Sequence, residues 1–90
     1  MTDIKCFAVE SSNIAAIGYD RTTRVLRVRL RDGRAYDYGQ VPADAAFDLL
    51  YAESHGSYLN RVIAPHYSFR RVNARGESGW EKPEPIRSTH

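Results

Sequence analysis

Cysteine occurs once, as Cys6, so the chain can close no disulfide of its own and is not built on the bridged scaffold of small secreted proteins. Long apolar runs are missing too. No stretch nears the roughly 20 residues that a membrane-spanning helix needs, and Met1-Thr2-Asp3-Ile4-Lys5-Cys6 lacks the apolar core of a secretory leader. The expected compartment is therefore cytoplasmic, with no membrane partner. His55, His66 and His90 share none of the close spacings with Cys6, or with one another, that structural zinc requires. No metal and no cofactor is expected. A large charge of one sign is also lacking: the net value of +2 counts against a strongly basic polyanion binder.

What is present suits one globular domain. Apolar residues make up 42% of 90, a globular rather than a disordered composition. The domain is expected over residues 4–72. From Asn73 the chain turns polar, with Gly76, Gly79, Pro83 and Pro85, and 73–90 reads as a disordered tail in which the isolated Trp80 is the exception. A core of that size buries only about 60% of the surface its unfolded chain exposes, so dimerisation or a partner would add useful stability.

The charge is unevenly spread. Between Arg21 and Arg34 lie six arginines and one acid, Asp32, for a local balance of +5. The stretch from Pro42 to Glu53 holds Asp44, Asp48 and Glu53 and no base. Such asymmetry can steer an anionic partner to one side of a fold.

Ile14 to Tyr19 reads as a strand and Asp20-Arg21-Thr22-Thr23 as a turn. In Arg24–Leu30, Leu26, Val28 and Leu30 alternate with Arg27, Arg29 and Arg31, the period of a strand with one buried and one wet face. Asp32-Gly33 signals a hairpin, followed by the strand Ala35-Tyr36-Asp37-Tyr38. Two registers are open. A two-residue loop pairs Arg31 with Arg34 and puts Tyr36 and Tyr38 on the arginine face. A three-residue loop with Gly33 left-handed pairs Leu30 with Arg34, sets Tyr36 against Val28 and Tyr38 against Leu26, and opposes Arg27 to Asp37. One residue of slip turns every side chain to the other face. The second register is preferred because it matches apolar with aromatic and base with acid.

A helix is expected from Pro42 to Glu53, with proline at its first position and Asp44 in its first turn. Ser54-His55-Gly56 would end it, Gly56 serving as a left-handed stop. Ser57 would cap a second helix in which Tyr58, Leu59, Val62 and Ile63 share a face, with Asn60 and Arg61 turned away and Pro65 as terminator. Tyr67 to Arg70 reads as a short closing strand or extended segment. The fold class is α+β: a small antiparallel β-β-β sheet followed by two helices packed on one face.

Taken in order, Ser11-Ser12-Asn13-Ile14, Ile17-Gly18-Tyr19-Asp20, Leu26-x-Val28-x-Leu30, Gly33, Tyr36-x-Tyr38, Val41-Pro42, Ser54-His55-Gly56 and Asn60 resemble the KTSC domain. That family is named for the C-terminal domain of some lysyl-tRNA synthetases and also occurs as stand-alone small bacterial proteins. The resemblance covers about residues 8–70. Leu59 stands where the family pattern has an aromatic residue, which keeps the position apolar. The resemblance implies RNA binding through the synthetase association and carries over no catalytic residue.

Three functions are weighed. An RNA-binding module, for tRNA or a single strand, would use Arg27, Arg29, Arg31 and Arg34 on phosphates, with Arg61 near by and Tyr36 and Tyr38 stacking bases in the first register. A protein adaptor or small homo-oligomer would use a free sheet edge, or set the acidic helix of one copy against the basic hairpin of another. An enzyme would need Ser54 with His55, Cys6 with His55, or Asp44 with Asp48, and none supplies a nucleophile, base and orienting group together. No catalysis is expected. His55 and Asn60 remain surface candidates.

Overall fold

The alternation of Leu26, Val28 and Leu30 with arginines produces the strand it predicts, and the chain folds around it. The computed structural model describes residues 4–73, 76–77 and 79–82. Its strands are β1 (Cys6–Ala8), β2 (Ile14–Asp20), β3 (Val25–Leu30), β4 (Ala35–Tyr38), β5 (Phe69–Asn73) and β6 (Gly76–Glu77). They form one sheet in the order β1-β2-β3-β4-β5-β6, antiparallel throughout. Between β4 and β5 come α1 (Ala43–Leu50) and α2 (His55–Tyr58), the latter running into a π-helical turn over Leu59–Ile63. The core joins Ile14, Ile17, Leu26, Val28 and Tyr38 of the sheet to Leu49, Leu59 and Ile63 of the helices. The fold is α+β, as the sequence indicates.

The hairpin adopts the three-residue register. Leu26 faces Tyr38, Arg27 faces Asp37 and Val28 faces Tyr36. Leu30 N donates to Arg34 O at 2.8 Å and Gly33 N to Leu30 O at 3.1 Å, with Gly33 at φ +99°. That backbone angle suits a residue without Cβ. Tyr36 and Tyr38 therefore lie on the helix side, and Arg27 and Asp37 on the other.

Several expectations are corrected. The sheet has six strands among the described residues rather than three with a closing segment. β1 was not foreseen, because three residues without alternation carry no periodic signal. Gly56 is no left-handed stop: α1 ends at Leu50, and Gly56 sits inside α2. The cap is Ser54, not Ser57, since Ser54 Oγ accepts from Ser57 N at 3.2 Å. Of the tail expected over 73–90, residues 74–75, 78 and 83–90 lie outside the described residues. Gly76–Glu77 pair with β5, and Glu81 exchanges backbone hydrogen bonds of 2.9 and 2.6 Å with Phe69. The unpaired backbone edge of β5 offers those polar residues a ladder their composition does not reveal. Trp80 lies over the Arg70 guanidinium at 4.3 Å, a cation–π contact, and against Gly39.

Candidate functional site

Asn13, the hairpin tip, Tyr36 and Asn60 are widely separated in sequence and meet in one groove. The loop before β2 is fixed by Ser11 Oγ, which accepts from Asn13 N and Ile14 N, both at 3.3 Å. Arg31 ties the hairpin to that loop, its Nε donating to Ser11 O at 2.6 Å and its backbone N to Asn13 O at 2.9 Å. α2 and its π turn form the opposite wall with Gly56, Leu59 and Asn60, and the groove between measures about 540 Å³. A shallower hollow of about 270 Å³ adjoins it and shares Ser12, Asn13, Gly56 and Asn60. A Cβ at Gly56 would make only an ordinary van der Waals contact with Asn13 Nδ2, at 3.8 Å.

Tyr36 is the aromatic residue of the rim. Arg34 Nη1 donates to its hydroxyl at 3.2 Å and Arg71 Nη2 at 3.4 Å. Both guanidiniums also lie over its ring, at 5.9 and 5.7 Å from the centroid. The hydrogen bond from Arg71, with Arg34 beside it, holds the phenol below its ordinary range. With both contacts accepted at oxygen, the hydroxyl proton stays available to a ligand. Arg34 also pairs with Asp32 at 2.8 Å, each side chain about half exposed. The exposed side-chain amides of Asn13 and Asn60 have no hydrogen-bond partner among the described residues. The groove is thus rich in donors, and its polar groups are open to water.

The residues nominated from sequence do not all assemble here. Arg31, Arg34, Tyr36 and Asn60 do. Tyr38 is buried and reaches the groove only from its floor. Arg27 is 4% exposed: its Nε and Nη2 bond the two Asp37 oxygens at 2.7 and 3.0 Å, and Arg70 Nε reaches Asp37 Oδ2 at 3.2 Å. A side chain so enclosed cannot meet a phosphate, nor can buried Tyr38 stack a base. Arg29 is exposed on the face opposite Tyr36, beside Cys6, whose thiol is pushed up by burial against the pull of Arg29. Arg61 Nε donates to Ser57 Oγ at 3.1 Å. His55 Nδ1 lies 2.8 Å from Leu49 O; since a carbonyl only accepts, Nδ1 carries the proton and the ring closes the end of α1. Sequence reasoning passed over Asn13 and Arg71 as site residues. Asn13 had a signal in Ser11-Ser12-Asn13, whereas Arg71 is brought in by a pairing between β4 and β5 that no local pattern announces.

Comparison with known proteins bears on the family and the fold. The profile of the KTSC domain matches residues 10–67. A protein of Tsukamurella paurometabola is 42% identical over 59 residues, covering 66% of this chain and 88% of that one. An uncharacterized protein of Stutzerimonas stutzeri is 35% identical over 71 residues, covering 78% of this chain and all of that one (100%). The crystal structure of a KTSC domain protein from Yersinia pestis superimposes with a TM-score of 0.74 at 32% identity, over 79% of this chain and 100% of the other.

Proposed function

This chain belongs to the KTSC domain family, and from that premise we propose that it is a non-catalytic module that holds a single-stranded segment of RNA in the groove between Asn13, the hairpin tip and Asn60. The observation that carries the reading is the pair of amides, Asn13 and Asn60, unpartnered among the described residues, in a groove rimmed by Arg31, Arg34 and the Tyr36 hydroxyl. Amides match the hydrogen-bonding edges of unstacked bases, and guanidiniums match phosphates. The exposed Arg34–Asp32 pair contributes little in water, so Arg34 can exchange its carboxylate for a phosphate at small cost. The RNA reading implies a cytoplasmic protein; among the described residues no helix is long and apolar enough to cross a membrane.

The test is fluorescence anisotropy of labelled single-stranded RNA and tRNA at two salt concentrations. Binding should weaken steeply with salt, the slope counting phosphate contacts. Arg34→Ala together with Asn60→Ala should weaken it about tenfold or more, equivalent to a loss of roughly 1–3 kcal/mol. Absence of binding at low salt would set the reading aside.

One observation favours a second reading, a protein-docking adaptor. Phe47 and Tyr51 of α1 and the turn after it stack at 6.4 Å while 54% and 79% exposed, beside Asp44 and Asp48. Exposed aromatics with an acidic rim fit a partner surface that is apolar and basic. Under this reading Phe47→Ser with Tyr51→Ser abolishes capture of that partner and leaves RNA affinity unchanged.

A further inference from the structure

β1 ends the sheet, and its outer side meets no strand among the described residues. Cys6, Phe7 and Ala8 face Gly18, Ile17 and Ala16, and Val9 N donates to Ala15 O at 3.1 Å. Hydrogen-bonded and non-hydrogen-bonded pairs alternate along an antiparallel ladder. Val9 and Phe7 therefore bond β2, and Cys6 and Ala8 turn their N–H and C=O groups outward. Phe7 lies on the same side of the sheet as Ile17 and is 60% exposed. No charge, proline or bulge interrupts Cys6–Ala8, which leaves its shortness as the guard of this edge.

We infer that β1 is the contact of a weak, reversible homodimer, in which the β1 strands of two copies pair antiparallel and join the sheets edge to edge. Outward groups must meet outward groups. Among two-fold registers, only the one centred on Phe7 gives both Cys6 and Ala8 a partner inside the strand, Cys6 of each copy pairing with Ala8 of the other. Phe7 then faces its own copy at a non-hydrogen-bonded position, where side chains approach most closely and aromatic pairs gain most. A second copy is the occupant that fits, because the edge is complementary to itself and the exposed ring covers its own symmetry mate. Two three-residue strands with one aromatic pair fall short of the roughly 1,200 Å² of a stable interface, so association is concentration-dependent.

Sedimentation equilibrium over a wide concentration range tests this. The wild-type chain should show a monomer–dimer equilibrium. Ala8→Pro removes an outward N–H and no bond to β2, so it should stay monomeric with an unchanged far-UV spectrum. The double variant Cys6→Ala, Phe7→Cys should form a disulfide-linked dimer on mild oxidation, since facing residues at such a pair have the required Cα separation. A wild-type chain monomeric at every concentration, an Ala8→Pro variant that dimerises like wild type, or a double variant that does not cross-link would each overturn the proposal.

Discussion

Asp37 has no exposed surface, and two guanidiniums reach it: Arg27 from β3 and Arg70 from β5. One carboxylate thereby pins three neighbouring strands on the face that no helix covers. Removing one member of a buried pair typically costs about 3–5 kcal/mol, and small domains have only about 5–15 kcal/mol in all. Asp37→Ala should therefore lower the denaturant midpoint sharply, by urea unfolding followed with circular dichroism. Tyr38 gives a pH dependence. Burial, with the nearby Tyr36, pushes its phenol up to about 12 from an ordinary value near 10. The folded state holds this proton more tightly than the unfolded state, so the contribution is complete below pH 10 and lost as pH rises toward 12. Alkaline unfolding should appear in that window, and Tyr38→Phe should shift its midpoint upward. The Arg27–Asp37 pairing was legible from base facing acid across the hairpin. Its burial was not, because alternation assigns a side chain to a face without saying what covers that face.

At the scale of elements, the hairpin was the most readable part, since Asp32-Gly33 announces the turn and the match of Leu26 with Tyr38 and of Arg27 with Asp37 chooses between its two registers. β1 and β6 were unreadable for the opposite reason: three and two residues hold no period, and their pairing depends on neighbours distant in sequence. Gly18 shows how β1 is held. A Cβ there would lie 2.4 Å from Lys5 O and 2.9 Å from Cys6 Sγ, so only glycine lets the two chains come this close. Gly18→Ala should detach β1 at a cost of about 1–3 kcal/mol. Faster hydrogen exchange at the β1–β2 amides, with β3 and β4 still protected, is the expected signature. The helices were read correctly as two, but their junction was misplaced, because Ser54-His55-Gly56 serves equally as a stop or as the start of the next helix.

For the molecule as a whole, the helices cover one face of the sheet, and the opposite face carries the ion pairs of Asp37 and the segment with Trp80, around an open hollow of about 890 Å³ that Arg27, Arg70 and Trp80 help to line. The candidate groove opens at one end of the sheet, beside the hairpin tip. Part of it could be read in advance, from Arg31, Arg34, Tyr36 and Asn60. The rest depended on which arginines the fold uses for itself, a matter of tertiary pairing. Trp80 has one more consequence. As the chain's single tryptophan, stacked on Arg70 next to the Glu81–Phe69 bridge, it is a built-in optical gauge of that segment. Its emission should shift to the red when the segment lifts, at lower denaturant than the loss of helical ellipticity. Coincident curves would instead mean that the last strand-pairing segment and the helices let go together.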